Sequence, residues 1–390
     1  MNPHEAHLLT VNAGSSSVKL TLFAIHDTPK RVFDAAVENI GQPTARLVVR
    51  NKASAAVVAD HFAATQILID LLERSIPKST IAAIGHRIVH GGSKYHKAKV
   101  IDDQMLLDLR DLSPFDPGHL SVEIQLIELF GKLFSDAKQI ACFDTAFHHD
   151  LPIRAQLLPI PRRFAAEGIR RYGFHGLSYA FILQELKQVE GETAAKGKVI
   201  IAHLGSGVSL AALREGKSID TTMSMTPASG IPMSTRSGDL DPGLALYFAR
   251  TQGYDANQFN HMTNFESGLL GISETTADME SLLEIEATDP RAKDAIDIFC
   301  YHIQKSIGSL AAALGGLNTL VFTGGMGENA PKIRVRVCEN LEFLGVTLDA
   351  TRNKENERLI SVEGSAVGVH VIHTDEAATI AHETAKLIER

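Results

Sequence analysis

Two α/β domains flanking a cleft are the architecture this sequence predicts, on three observations. At 390 residues the chain is too long for one ordinary hydrophobic core and suits two domains of middling size. Runs with strand character alternate with runs of helical periodicity from end to end. A glycine-centred hairpin, VNAGSSSVKL and then HLGSGVSL, occurs once in each half, so the halves share a layout without sharing sequence.

The first element, LLTVNAGSSSVKLTLFAI, is two apolar runs around a Gly/Ser turn and reads as a β-hairpin. HFAATQILIDLLERSI places Ala64, Leu68, Leu71 and Leu72 on a helical stripe. IAAIGHRIVHGG is a buried strand ending in a glycine pair, and KVIIAHLGSGVSLAAL repeats the apolar-turn-apolar layout of the first hairpin. A long amphipathic helix follows, with Ala292, Ala295, Phe299, Ile303, Ile307, Leu310 and Leu314 along one face. It leads into a third strand-to-loop unit, NTLVFTGGMGENAP, and a further helix that Asn329 caps and whose first turn takes Pro331. The domain boundary falls near residues 150–155, where Pro152 precedes a basic stretch.

Composition narrows the function. With 46 acidic against 38 basic residues and net charge −8, the chain lacks the basic face that a nucleic-acid binder needs to displace counterions. Cys142, Cys300 and Cys338 have neither metal-ligand spacing nor the number for a disulfide framework, and read as buried thiols in a reducing compartment. The N-terminus has no basic stretch followed by a long apolar one, and no segment approaches the ~20 apolar residues that span a bilayer. A cytoplasmic protein with no membrane partner is expected.

The glycine hairpins carry the first chemical hint. A turn of small residues exposes backbone N–H groups that favour anionic oxygens. In the first hairpin Asn12, Ser15, Ser17 and Lys19 add side-chain donors and one positive charge, although an ordinary hairpin uses the same residue types for its own backbone. His203-Leu204-Gly205-Ser206-Gly207 is equally open to both readings. GGMGEN sits at a strand-to-helix junction, a common place for a nucleotide, but has neither the Rossmann spacing nor a Walker lysine. Three such loops in one chain point toward a nucleotide. Arg87, Arg170, Arg171 and Arg236 each lie beside glycine at a strand end or tight loop, where a surface ion pair is the ordinary alternative to a ligand clamp. His175 is open to a buried structural role, and Asp144 follows an apolar strand as a candidate for metal or phosphate work.

Taken together, VNAGSSSVKL, GHRIVHGG, FDTAFHHDLP, RRYGFHGLSY, HLGSGVSLAAL, MTPASGIPMSTRSGDLDPGL, ESGLLGISETTADM, FTGGMGENAPKIRVRV and HTDEAATIA follow in order along the chain. This succession resembles the acetate kinase family from end to end. The resemblance implies the acetate and sugar kinase/Hsp70/actin fold: two duplicated ribonuclease H-like domains with nucleotide and acyl substrate meeting in the central cleft. Residues 1–150 would form the N-terminal domain with a returning helix at about 376–390, and 151–375 the nucleotide-binding domain. It also implies a homodimer and the reversible transfer of the ATP γ-phosphoryl group to acetate, giving acetyl phosphate and ADP with Mg²⁺ or Mn²⁺.

Such a reaction needs no general base, because a carboxylic acid with a pKa near ~4 is already an anion at neutral pH. The task is to align two anions and spread the phosphoryl charge, which suits arginines and a metal. By motif position, Arg87 and Arg236 would hold the acyl carboxylate and the transferring group, through planar forks that stay charged. His175 would donate to the planar transition state, and Asp144 would orient an arginine or the metal shell. Asn12 and Glu376 would position the metal. Lys19 and His203, Leu204, Gly205, Ser206 and Gly207 would bind the β- and γ-phosphates. Thr276, Ala277 and Asp278 with Gly324, Gly325, Met326, Gly327 and Glu328 would hold ribose and base.

The chain departs from the family pattern at several places. Ser206 stands for an Asn, Asp116 for a His in the segment LSPFDPGHL beside the acyl site, and Asp375 for an Asn beside Glu376. Leu177 and Tyr179 alter the FHG motif, and Glu280 replaces an Arg at the nucleotide's edge. Propionate or butyrate as acceptor, or another phosphoryl donor, are therefore the alternatives within this class. A non-catalytic nucleotide switch is the alternative outside it, opposed by the retention of Arg87, Asp144, His175 and Arg236. A sugar kinase would use Asp144 as base but fits the paired arginines less well.

Overall fold

The computed structural model describes residues 6–14, 16–41, 44–116 and 118–388, so Ser15 of the first hairpin lies outside the described residues. The chain divides into two compact units, one of Met1–Ala146, Gly176–Phe181 and Asp375–Arg390, the other of Phe147–His175 and Ile182–Thr374.

In the first unit the strands are β1 (His7–Ala13), β2 (Ser17–Ala24), β3 (Lys30–Glu38), β4 (Arg46–Val49), β5 (Lys52–Ala55), β6 (Ile81–Ile88), β7 (Lys99–Val100) and β8 (Lys138–Phe143). They form one sheet in the order β5-β4-β3-β2-β1-β6-β8-β7. The β1–β6 and β6–β8 pairs are parallel, whereas β1–β2 and β2–β3 are antiparallel. Side chains alternate across a strand, and here both faces are apolar. Leu9, Val11, Leu20 and Leu22 pack with Ala64, Leu68 and Leu72 of the helix His61–Ser75 and with Leu126 and Phe130 of the helix Leu120–Leu133. Leu8, Phe23, Ala83 and Ile140 pack on the other face against Ile380, Ala381 and Ala385 of the helix Glu376–Ile388. Burying each such large side chain contributes about 1.5–3 kcal/mol. Gly85 of β6 lets that helix lie close, since a Cβ there would stand 2.5 Å from Ile380 and 2.3 Å from Thr384 Oγ1.

In the second unit β9 (Val199–Leu204), β10 (Val208–Arg214), β11 (Lys217–Thr221), β12 (Thr319–Thr323) and β13 (Gly368–Val371) run in the order β11-β10-β9-β12-β13. The first two pairings are antiparallel and the last two parallel, the same pattern as β3-β2-β1-β6-β8. The duplicated layout is thus a duplicated strand order. The helix Pro290–Leu314 buries the seven apolar residues named above, starts at an Asp289 cap and stops at Gly315 in a left-handed conformation (φ 70°).

One local expectation is corrected. GGMGEN is itself a helical turn, Gly324–Asn329, rather than a loop. Asn329 therefore closes that turn, its amide donating to the Gly325 carbonyl, while Ala330 takes the cap position of the following helix Pro331–Cys338. Among the described residues no helix is long and apolar enough to cross a membrane. The three cysteines are free and buried.

Candidate active site

In the first unit the alternation that sends Leu9, Val11, Val18 and Leu20 to one face sends Asn12 and Lys19 to the other. These two are directly opposed across β1 and β2, one step before the hairpin turn. The helix Glu376–Ile388 covers that face, and its first residue meets Asn12: Asn12 Nδ2 donates to Glu376 Oε2 at 2.7 Å. Arg87 follows Gly85 by two residues on β6 and so shares this face. Its Nη2 and Nε donate to Asp144 Oδ2 at 2.6 and 3.1 Å, and its Nη1 donates to the Ala13 carbonyl at 2.8 Å. Both side chains are buried, Asp144 almost wholly. Burial opposes the charge on Arg87, but Asp144 and then Glu376 outweigh it and hold the guanidinium protonated well above its ordinary range. Of five guanidinium N–H groups, three have partners among the described residues, and Asp144 Oδ1 is buried without a hydrogen bond among them.

The VHGG segment beyond β6 is fixed by side chains. Glu123 accepts the Val89 N–H with both oxygens, at 3.0 and 3.2 Å, while Thr145 Oγ1 accepts the Gly91 N–H and His90 Nδ1 the Gly92 N–H. Asp116 holds the ring of His119 at 2.9 Å, and His119 lies within electrostatic reach of Asp144. Sequence reasoning passed over Glu123, Thr145 and His119. For Glu123 a signal existed, because it is an acid on the apolar stripe of the helix Leu120–Leu133, buried beside Leu120, Ile124, Ile127 and Phe130.

In the second unit the site is built on glycine. His203 opposes Ser209 across β9 and β10, the place that Asn12 and Lys19 hold in the first sheet. His175 stacks on His203 with ring centroids 4.3 Å apart, and its Nδ1 is 2.9 Å from Ser209 Oγ. Its backbone is left-handed (φ 59°), a cost of order 1–3 kcal/mol for a non-glycine residue that the surrounding contacts must offset. Gly207 lies beneath both candidate catalytic groups: a Cβ there would stand 3.1 Å from His175 Nε2 and 3.6 Å from Arg236 Nη1. Arg236 Nη1 also donates to the Pro227 carbonyl at 3.2 Å. Gly324, with φ 78°, sits against the second hairpin, where a Cβ would meet Leu204 backbone at 2.9 Å and Gly205 N at 3.1 Å. His203, Leu204, Gly205, Ser206, Gly207, His175, Arg236 and the turn Gly324–Asn329 thus come together.

Other candidates have local work. The carboxylate of Glu328 accepts from Gly324 N and Thr374 N, and lies against His373 Nδ1 at 2.5 Å. Burial would raise its pKa, but His373 and the backbone donors bring it below the ordinary range. Asp278 caps the helix Met279–Ile285 by accepting from Ser281 N, and Thr276 Oγ1 accepts the Asp278 N–H. With Ala277 these residues form the turn into that helix, whose first turn Glu280 suits as an acid near positive dipole charge. Arg171 is a brace, donating to the carbonyls of Ala155, Thr221, Thr222 and Met223, and Arg170 lies over the Tyr172 ring. Asp375 accepts from Ala378 N and pairs with Arg31, which accounts for an acid there. Leu177 and Tyr179 are core residues. Among the described residues no three His, Cys, Asp or Glu side chains form a metal-type cluster.

Comparison with known proteins gives a consistent result. The sequence model described as the acetokinase family matches residues 7–382. An acetate kinase of Rhodopseudomonas palustris (strain TIE-1) is 40% identical over 393 aligned positions, covering 98% of each chain. A propionate kinase of Citrobacter rodentium (strain ICC168) is 38% identical, covering 97% of this chain and 96% of its own. The crystal structure of a propionate kinase from Francisella tularensis subsp. tularensis SCHU S4 superposes with a TM-score of 0.89 at 34% identity, covering 98% of this chain and 99% of that one.

Proposed function

The chain belongs to the acetokinase family, and from that premise we propose that it transfers the γ-phosphoryl group of ATP reversibly to acetate, giving acetyl phosphate and ADP. It is an ATP-dependent phosphotransferase with a short-chain carboxylate as acceptor. The observation that carries the reading is Arg87: a buried, permanently charged fork, held in place by Asp144 and the Ala13 carbonyl, with N–H groups to spare for an anion.

An oxygen of the acceptor carboxylate forms the new bond to the γ-phosphorus, and the bond from that phosphorus to the bridging oxygen of ADP breaks, with ADP keeping the electron pair. No proton has to be removed, so Asp144 works by orienting Arg87 rather than as a base. Arg87 holds the acceptor carboxylate, and Arg236 and His175, poised over Gly207, take the charge of the transferring group. Backbone N–H groups of Gly205, Ser206 and Gly207, with Lys19, receive the β- and γ-phosphates. The turns at Thr276, Ala277 and Asp278 and at Gly324–Glu328 flank ribose and base. Asn12 and Glu376 offer an amide oxygen and one carboxylate, a hard-oxygen set that suits Mg²⁺ (or Mn²⁺) completed by water and substrate phosphate. When bound, the ion neutralises phosphate charge.

Trapping acyl phosphate as the hydroxamate from purified protein, acetate and MgATP tests the reading. No product with any C2–C4 acid sinks it. Propionate is the second acceptor to weigh, since a propionate kinase is nearly as similar as an acetate kinase, and a chain-length series decides between them. The protein is further taken to be a cytoplasmic homodimer. Three buried free thiols support a reducing compartment. Helices Gly243–Thr251 and Ala256–Phe265 bury none of their residues and expose Leu246, Tyr247 and Phe265, an apolar face suited to a second copy. Tyr247→Glu should yield a monomer by light scattering; an unchanged mass in wild type and variant removes that face as the interface.

A further inference from the structure

The site contains one buried carboxyl group for which the reaction as proposed has no use. Glu123 lies in the first turn of the helix Leu120–Leu133 and is 3% exposed. Both its oxygens accept the Val89 N–H, two residues beyond Arg87 on the same stretch of chain. Arg87, Asp116 and Asp144 act on it electrostatically. We infer that Glu123 is a positioning residue for the acceptor: it fixes the strand end that carries Arg87, and in its neutral form spares the incoming carboxylate one negative charge. This rests on the carboxylate kinase reading and deepens it.

The charge around Arg87 makes the second role necessary. Asp144 bonds this one guanidinium, and Glu376 acts on it electrostatically. Asp116, which holds the His119 ring, bears on Glu123 itself. The neighbouring helix Asp103–Leu112 offers Arg110, but that charge is taken by Glu128. An ionised Glu123 would make a third negative group acting on Arg87, the residue proposed to receive an anion. Burial, its dominant influence, pushes the Glu123 pKa up to about 8, with the charge of Arg87 and the Val89 N–H opposing. Below that range the carboxyl group is neutral while its carbonyl oxygen still accepts from Val89, so the latch and the charge can be separated. Glu123→Gln keeps an acceptor for Val89 but never ionises; Glu123→Ala loses both.

KM for acetate and for MgATP, measured from about pH 6.5 to 9.5, tests the inference. Wild-type KM for acetate should rise roughly tenfold as pH passes about 8, while KM for MgATP changes little. Glu123→Gln should flatten the acetate profile and retain turnover, and Glu123→Ala should raise KM for acetate at every pH. A Glu123→Gln profile as steep as wild type overturns the inference while leaving the kinase reading standing. Calorimetric binding of acetate to the MgADP-loaded protein repeats the comparison without turnover. Binding whose pH dependence the Gln variant removes, in a protein that makes no acyl phosphate, supports the inference and overturns the kinase reading. Acetate that neither binds nor reacts at any pH overturns both.

Discussion

The two sheets share the strand pattern β3-β2-β1-β6-β8 and β11-β10-β9-β12-β13, yet they equip the same place with different chemistry. One step before the hairpin turn, the first sheet presents Asn12 opposite Lys19 and the second presents His203 opposite Ser209. Around the former stand fixed charges: Glu376, and the Arg87–Asp144 pair. Around the latter stand glycine backbone and a stack of two imidazoles held by a hydroxyl. The shared topology supplies a location, and the residues placed there decide whether side-chain charge or glycine backbone dominates it.

The largest effect expected is on turnover through the second unit. Arg236→Ala should lower kcat by well over ~100-fold with the fold intact, as for lost charge stabilisation in the transition state. A near-wild-type rate in the hydroxamate assay removes Arg236 from the chemistry. Arg87→Ala should also abolish turnover, but in addition lose about 3–5 kcal/mol in denaturant melts, since Asp144 is left buried without its counter-charge. Equal stability of the two variants would erase the contrast between a charge-locked and a glycine-built site.

A smaller effect separates the two hairpins. Gly207→Ala should cost roughly tenfold in kcat, about 1.4 kcal/mol, because its Cβ crowds His175 Nε2 at 3.1 Å. At Gly14 the nearest atom is Ser17 Oγ at 3.3 Å, the end of a short side chain, and the same substitution should change kcat less than threefold. Equal penalties would mean that the first turn approaches phosphate as closely as the second. The smallest effect is on stability with pH. The pKa of Glu123 is raised in the folded state, so its contribution is full below the ordinary glutamate range and is lost as pH climbs to about 8. Melting curves of wild type should fall by a few degrees relative to Glu123→Gln across that window, and parallel curves would refute the shift.

Much of this was readable in the residues. Both hairpins, the helices His61–Ser75 and Pro290–Leu314 and the family itself follow from apolar periodicity and long glycine- and arginine-bearing motifs. Short-range signals fared worst where two elements compete for a few residues. Asn329 has the chemistry of a helix cap, but the glycines before it wind into a turn that absorbs it first. Arg171 sits in a motif beside His175 yet spends its donors on carbonyl groups far away in sequence, which no local pattern reveals. Glu123 was hidden for the opposite reason, because helical periodicity treats an acid on an apolar stripe as noise, whereas its meaning depends on Val89 in another element.

The hydrogen bond from Asn12 to Glu376 joins residues 364 positions apart. During synthesis the first sheet emerges early, and Leu8, Phe23, Ala83 and Ile140 lack the cover of Ile380, Ala381 and Ala385 until the segment after Asp375 leaves the ribosome. A nascent chain therefore holds an incompletely covered apolar surface through most of translation, a natural target for holding chaperones. A message that stops short of that segment would yield a protein whose apolar face lacks this helix, so the amide–carboxylate contact marks a molecule translated through Glu376.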